Sequence, residues 1–179
     1  MYSSQLARCV RTDPFIADDF IGVFASDRLR VPQTLPAALI VNNQDSSQPG
    51  EHWISVYIDG AGVGCFIDSV GMPPSVYSWD IANFMDNNCL YWSYNPRTIQ
   101  SMHSNICGQY ALFFLWHMCR GSSMHQTLAP FTENRLYNDS VVSAFVLRQF
   151  GYIARVERNS FADHQSARTF AEYAHRLYN

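Results

Sequence analysis

Cys107 stands at the start of a segment whose pattern is typical of a buried helix. Residues 107–120 are apolar on nearly every side, and Gly121 then ends the pattern. Ser104 or Asn105 is the expected first residue of this helix. Backbone N–H groups and the dipole at a helix start favour a thiolate, which attacks carbonyl carbon. Cys107 is therefore the candidate nucleophile, although buried cysteines more often serve only in packing.

His52 and Asp68 fall on two segments that alternate like neighbouring strands. The first covers residues 52–59 and the second residues 65–69, with three glycines between them. So short a connection predicts an antiparallel hairpin, and a turn at residues 60–62 places His52 and Asp68 on one face, opposite or diagonal. A one-residue slip in register would separate them. Within reach of each other, the imidazole can take the thiol proton while the carboxylate fixes its tautomer.

Gln100, Gly108 and Trp53 complete the candidate site. Gln100 lies seven residues before Cys107, in the loop that leads into the helix. Its side-chain amide and the Cys107 backbone N–H are both placed to donate to a developing oxyanion. Gly108 either lets a substrate backbone approach or allows close helix packing, and the sequence leaves both open. We predict Trp53 and Gly108 on the substrate and oxyanion side of the site.

The remaining segments predict an α+β fold in a single domain, residues 1–179. The buried central helix should carry the nucleophile and pack against a small mixed or antiparallel sheet. Residues 89–94, which include Cys89, predict a further strand, and residues 35–42 a buried strand or helix. The other predicted helices cover residues 4–10, 79–85, 139–150 and 161–177.

The composition excludes several classes of protein. Five cysteines, an odd number without short Cys pairs, argue against a disulfide scaffold and a zinc ribbon. There is no run of about 18 apolar residues, and residues 1–10 lack the apolar core of a signal peptide. We therefore expect a soluble, non-secreted monomer without membrane contact and without a metal or organic cofactor. Residues 141–179 carry five Arg against three acidic residues, which indicates a solvated surface or a weak anionic contact.

The order of the candidate residues resembles that of one protease family. The matching positions are, in chain order, His52-Trp53, Asp68, Gln100 and Cys107-Gly108. In papain-like enzymes the cysteine comes first, whereas this order resembles adenovirus-type endopeptidases, in the group that also contains SUMO-type ubiquitin-like-protein proteases. The resemblance is closest to the adenovirus endopeptidase. It extends to residues 19–24, 35–42 and 138–150, so it covers most of the chain.

The resemblance implies a reaction, substrates and partners. It implies a Cys107–His52–Asp68 triad with Gln100 in the oxyanion hole, on an α+β fold whose central helix carries the cysteine. It implies a cysteine endopeptidase that cleaves viral precursor proteins after small or Gly-rich motifs during particle maturation, in the virion and the host nucleus. It also implies activation by DNA and by a capsid-derived peptide. Cys89 lies where the family's cysteine for a disulfide to that peptide would fall; a buried strand cysteine is the alternative.

Two other functions stay open at this point. A protease that processes a ubiquitin-like modifier would use the same catalytic residues, so the triad does not separate it from a viral endopeptidase or from the enzyme of a virus-like mobile element. A metal-binding interaction module is the non-enzymatic alternative, because spacing of four can place two ligands on one helix face. Its candidate ligands are His103, Cys107, His117, Cys119 and His125.

Overall fold

The structure, a computed structural model, describes residues 1–151 and has the α+β fold that the sequence predicts. A five-stranded mixed sheet has a hydrophobic cluster on each face. The strands are β1 (Phe20–Phe24), β2 (Ala37–Asn42), β3 (Trp53–Ile58), β4 (Val63–Ile67) and β5 (Tyr91–Tyr94). The helices are α1 (Ser3–Arg11), α2 (Pro14–Asp19), α3 (Pro74–Tyr77), α4 (Trp79–Asn88), α5 (Cys107–Met118), α6 (Met124–Leu128) and α7 (Arg135–Phe150).

The strands follow one another across the sheet in chain order. β2, β3 and β4 are antiparallel, and each outer strand runs parallel to its neighbour. All six residues of β2 are buried. A strand that is buried on both faces shows no alternation, which explains why residues 35–42 fit a strand or a helix equally well.

The hairpin of β3 and β4 has the register that the sequence predicts. Ser55 pairs with Ile67 in an antiparallel ladder. Just past the strand ends, His52 and Asp68 lie in contact, with His52 Nε2 2.5 Å from Asp68 Oδ1. The predicted juxtaposition of His52 and Asp68 on this hairpin is confirmed.

The helix α5 is the centre of the fold. Nine of its 12 residues are buried, and it packs against β3 on one side and against α1 and α7 on others. The Ser55 hydroxyl on β3 also donates to the Ala111 carbonyl at 3.2 Å. Because the helix is held on several sides, its first residue, Cys107, has a fixed position beside the start of β3.

The structure differs from the prediction in its short elements, at the start of α5 and at Cys89. α5 begins at Cys107, after Ile106, and not at Ser104 or Asn105. The helices α2, α3 and α6 were not predicted, since helices of four to six residues give little periodic signal. The strand β1 was not predicted either, and its five residues are all half-buried without alternation. Cys89 is not in a strand: its N–H donates to the Met85 carbonyl as a last helical bond of α4, and β5 begins only at Tyr91. The predicted helix over residues 161–177 lies outside the described residues.

The described helices were also compared with the length and hydropathy that a bilayer requires. Within residues 1–151, none is both long and apolar enough to cross a membrane.

Gly71 and Gly121 offer a matched test of the packing around the loop after β4. Both have positive φ, +83° and +81°, so alanine strains the backbone at either position. A Cβ at Gly71 would also lie 2.6 Å from the Arg97 carbonyl carbon, whereas at Gly121 it would meet no atom of the described residues within 4 Å. We predict that Gly121→Ala lowers the free energy of unfolding by about 1 kcal/mol. Gly71→Ala should lower it by about 1–3 kcal/mol more.

Denaturant unfolding measures both losses. Equal losses for the two variants would contradict the close packing of the Gly71 loop against Arg97.

Candidate active site

The candidate site lies at the end of the sheet where β3 begins and β4 has just ended. His52 Nε2 lies 2.5 Å from Asp68 Oδ1, and the Cys107 thiol hydrogen-bonds to His52. With Nε2 engaged by the carboxylate, Nδ1 is the ring nitrogen left for the thiol. The three residues are 4%, 0% and 7% exposed, in the order His52, Asp68, Cys107. The structure therefore brings together the three residues that the sequence singles out.

The Asp68 carboxylate is buried and accepts hydrogen bonds on both oxygens. Besides His52, Oδ1 accepts from the Val70 N–H at 3.1 Å, and Oδ2 accepts from the Met72 N–H and the Tyr77 hydroxyl, both at 2.8 Å. Burial is the largest single influence on the pKa of Asp68, and it favours the neutral acid. The His52 charge and hydrogen bond and the two N–H groups outweigh it, so the pKa of Asp68 lies below its ordinary value. The carboxylate is therefore ionised when it orients the imidazole.

Asn95 and Tyr77 hold this pair in place. The buried Asn95 side chain accepts from the Asp68 N–H at 2.8 Å and donates to the Asp68 carbonyl at 2.7 Å. It thus continues the β4–β5 pairing past the strand ends with a side chain. The Tyr77 ring stacks on the imidazole, with ring centroids 5.8 Å apart and planes at 27°. His52 is consequently restrained by a carboxylate at one edge and an aromatic ring on one face.

The electrostatics favour a thiolate–imidazolium pair. Burial of Cys107 opposes ionisation, but the hydrogen bond and charge of His52 and the Trp53 backbone N–H outweigh it and lower the pKa of the thiol. Burial likewise opposes the imidazolium, yet Asp68 and Cys107 raise the pKa of His52 above its ordinary value. In contrast, burial raises the pKa of the other thiols, to about 11 for Cys9, Cys65 and Cys89 and to about 12 for Cys119.

Gln100 is held between the Asp68 turn and the loop before the nucleophile. Its Oε1 accepts from the Ser69 hydroxyl at 2.6 Å, and its Nε2 donates to the Ser104 carbonyl at 2.9 Å. The amide has a second hydrogen beyond the one bound to Ser104. The first N–H groups of α5, starting at Cys107, have no acceptor within the helix. Gln100 is thus tied by Ser104 to the loop that leads into α5, and its role as an oxyanion donor stays a prediction.

Trp53 and Gly108 lie close to the nucleophile and to residue 1. A Cβ on Gly108 would lie 3.2 Å from Met1 Cβ and 3.3 Å from Leu6 Cδ2 and from Trp53 Cδ1. Close helix packing, one of the two alternatives for this glycine, is therefore what the structure shows. The Trp53 indole donates to the Met1 carbonyl at 2.9 Å, and its backbone N–H donates to the Cys107 sulfur. Contact of Trp53 or Gly108 with a substrate stays a prediction.

A cavity of about 350 Å³ is lined by two residues that contact His52, although not by His52 itself. Its lining includes Asn43, whose side chain accepts from the His52 N–H at 2.9 Å, and Tyr77, which stacks on the imidazole. Glu51, the residue before His52, and Asp80 also line it. The cavity therefore lies next to the neighbours of His52.

Ser69, Tyr77 and Asn95 are site residues that no sequence pattern predicted. Ser69 directly follows Asp68, so its position was a signal that could have been used. Tyr77 and Asn95 reach Asp68 from nine and 27 residues further along the chain. No local pattern marks such contacts, because the tertiary fold creates them.

Cys89 lies at the end of α4, half-buried, and its sulfur packs over Gly64. With its pKa raised to about 11 by burial, it is mostly a thiol at neutral pH and a slow partner in disulfide exchange. This environment is that of a packing cysteine. A disulfide to an activating peptide stays a prediction.

The proposed zinc ligands are not gathered into one site. Among residues 1–151, no three His, Cys, Asp or Glu side chains are grouped so as to hold a metal ion. The His117 ring stacks with Phe145 and lies against Phe113, with centroids 5.6 and 4.5 Å apart. The Cys119 thiol instead hydrogen-bonds to Asp19.

The chain was compared with protein-family models, curated proteins and solved structures. No protein-family model matches the chain, and no curated protein is similar to it. Twelve chains of solved structures match, among them the crystal structure of Se-Met ASFV pS273R protease, with 17% sequence identity and a TM-score of 0.45. The match covers 66% of this chain and 44% of that one, so this chain spans less than half the length of the chain it matches. At this level of similarity we base the function on the geometry of the site.

Cys107 should stay ionised to a lower pH than an ordinary thiol. We predict that its thiolate absorbance, taken as the ultraviolet difference between the wild type and Cys107→Ala, disappears only well below the ordinary thiol pKa of about 8.5. In His52→Ala the titration should move upward, because the burial remains while the hydrogen bond and charge that lowered the pKa are lost. An unchanged titration in His52→Ala would show that the imidazole does not act on this thiol.

Proposed function

We propose that the chain is a cysteine endopeptidase. The observation that carries this proposal is the hydrogen-bonded series from the Cys107 thiol through His52 to the buried Asp68 carboxylate. It offers a nucleophile, a base that also serves as the acid, and a group that orients the base. The thiol also lies at the start of α5, where the helix dipole favours its ionised form.

The first half of the reaction forms an acyl-enzyme. With its proton already on His52, the Cys107 thiolate bonds to the substrate carbonyl carbon while the C=O π electrons move to oxygen. The imidazolium stays beside the ionised Asp68, which stabilises its charge. The C–N bond then breaks, His52 gives its proton to the leaving amine, and a thioester remains on Cys107.

The oxyanion of this intermediate lies against the start of α5. We assign the Cys107 backbone N–H and the free Nε2 hydrogen of Gln100 as its donors. The bonds of Gln100 to Ser69 and Ser104 fix the amide before substrate binds. Donors fixed in advance need not reorganise when the negative charge develops.

The second half of the reaction hydrolyses the thioester. His52, neutral again, takes a proton from water as the water oxygen attacks the acyl carbon. The C–S bond breaks, the Cys107 thiolate leaves, and the carboxylic acid product departs. The thiolate–imidazolium pair is then restored for the next cycle.

The proposed substrates are precursor proteins of a virus or a virus-like mobile element, cleaved during particle maturation. The order of the candidate residues along the chain, which resembles adenovirus-type endopeptidases, supports this. On the same basis we propose action in the virion and host nucleus, with activation by DNA and by a capsid-derived peptide. One feature weighs against each activator. The chain has no lysine to contact DNA phosphates. Burial raises the pKa of Cys89 to about 11, which disfavours the thiolate that a disulfide to a peptide requires.

Removal of the nucleophile should abolish peptide cleavage without loss of the fold. We predict no detectable turnover for Cys107→Ala and nearly none for His52→Ala, measured as product release from a peptide library by mass spectrometry. Cys65→Ala is the matched control, because Cys65 is a half-buried thiol on β4 outside the site. Turnover by Cys107→Ala equal to that of the control would refute the proposal.

Loss of the Gln100 amide should slow the chemical step. We expect Gln100→Ala to lower kcat by roughly a hundredfold or more, about 3 kcal/mol of transition-state stabilisation, with little change in KM. Gln33→Ala, at an exposed glutamine, is the control and should leave kcat unchanged. Steady-state kinetics on a cleaved peptide give both constants, and wild-type kcat in Gln100→Ala would remove Gln100 from the oxyanion site.

A further inference from the structure

The start of α7 contacts the loop that carries Gln100. Asn138 Nδ2 donates to the Ile99 carbonyl at 3.0 Å, and Asp139 Oδ1 accepts from the Ser101 N–H at 3.3 Å. These two bonds hold the backbone immediately before and immediately after Gln100. Two adjacent residues of one helix therefore fix both sides of the candidate oxyanion donor.

Tyr110 connects this contact to the helix of the nucleophile. Its ring is completely buried in α5, one turn after Cys107. Its hydroxyl lies 2.9 Å from Asp139 Oδ1 and 3.2 Å from the Ile99 carbonyl, both of which are acceptors. The loop, α5 and α7 thus meet at one hydroxyl and one carboxylate oxygen.

Aspartate, as at position 139, is unusual at a buried position that serves only in packing. Asp139 is 9% exposed, and a buried carboxylate costs several kcal/mol unless hydrogen bonds or charges offset the loss of water. Its second oxygen, Oδ2, is buried without a hydrogen-bond partner among the described residues. What the carboxylate adds is an acceptor for the Ser101 N–H and for the Tyr110 hydroxyl.

We infer that Asp139 is a positioning residue for the Gln100 amide, acting through the Ser101 backbone with the support of Tyr110. It touches neither substrate nor nucleophile. Its effect is to set where the Gln100 amide lies relative to the start of α5. This inference rests on the proposed function, because it presumes that Gln100 donates to an oxyanion.

The expected signature is a loss of kcat that depends on Gln100. We expect Asp139→Ala to lower kcat on the order of tenfold with KM within about twofold, since a small misplacement of a donor slows chemistry more than binding. Asp139→Asn keeps a carbonyl oxygen for the Ser101 N–H and should recover most of the loss. In a Gln100→Ala background, Asp139→Ala should change kcat by less than about twofold.

Val142→Ala is the matched control for simple destabilisation. Val142 lies on the same helix and is completely buried in the hydrophobic core, and its side chain forms no hydrogen bond to the Gln100 loop. It should lower the melting temperature while kcat stays within about twofold of wild type. If Asp139→Ala does not fold, Tyr110→Phe removes only the hydroxyl and should show the same dependence on Gln100 with a smaller loss.

The outcomes separate this inference from the proposed function. Equal kcat losses for Asp139→Ala with and without Gln100, or a similar loss in Val142→Ala, would overturn the positioning role and leave the cysteine mechanism standing. Wild-type kcat in Gln100→Ala would remove the oxyanion role and this inference with it. The proposed function itself falls only if Cys107→Ala still cleaves peptide.

Discussion

The burial of the Asp68 carboxylate is the constraint on which the rest of the site depends. An isolated buried charge would cost several kcal/mol, and here it accepts from His52, two backbone N–H groups and the Tyr77 hydroxyl. Satisfying it fixes the β3–β4 register, the turn after β4 and the position of α3. The same contacts orient the imidazole and keep it charged. Asp68 therefore both orients His52 and holds the surrounding strand ends and turn in place.

The second requirement is that Cys107, the candidate nucleophile, lies beside this imidazole although it belongs to a different element. The helix α5 is buried on nearly every side, and its first residue is Cys107. Packing against β3 sets the helix start beside His52, and the Trp53 N–H reaches the sulfur from the strand. Burial alone would raise the pKa of this thiol, as it does for Cys65 on β4. The opposite shift at Cys107 comes from its neighbours.

Local patterns in the sequence predicted the parts of the site that follow from periodicity. Strand alternation gave the register that brings His52 to Asp68, and the apolar segment after Cys107 predicted α5. Contacts made across long loops had no such signal: Asn95 and Tyr77 around Asp68, and Asp139 beside Ser101. Cys89 was wrongly placed in a strand because the alternation of residues 89–94 begins there, whereas α4 ends at Asn88 with Cys89 as its cap and β5 begins at Tyr91.

The account is tested most directly by trapping the acyl-enzyme. The protein is mixed with short peptide nitrophenyl esters, whose nitrophenolate leaves without needing specific contacts. The mixture is then quenched in acid and digested for mass spectrometry. We predict a peptide acyl group on Cys107, absent in Cys107→Ala and accumulating slowly in His52→Ala. Ester turnover without an adduct on Cys107, undiminished in Cys107→Ala, would contradict the account.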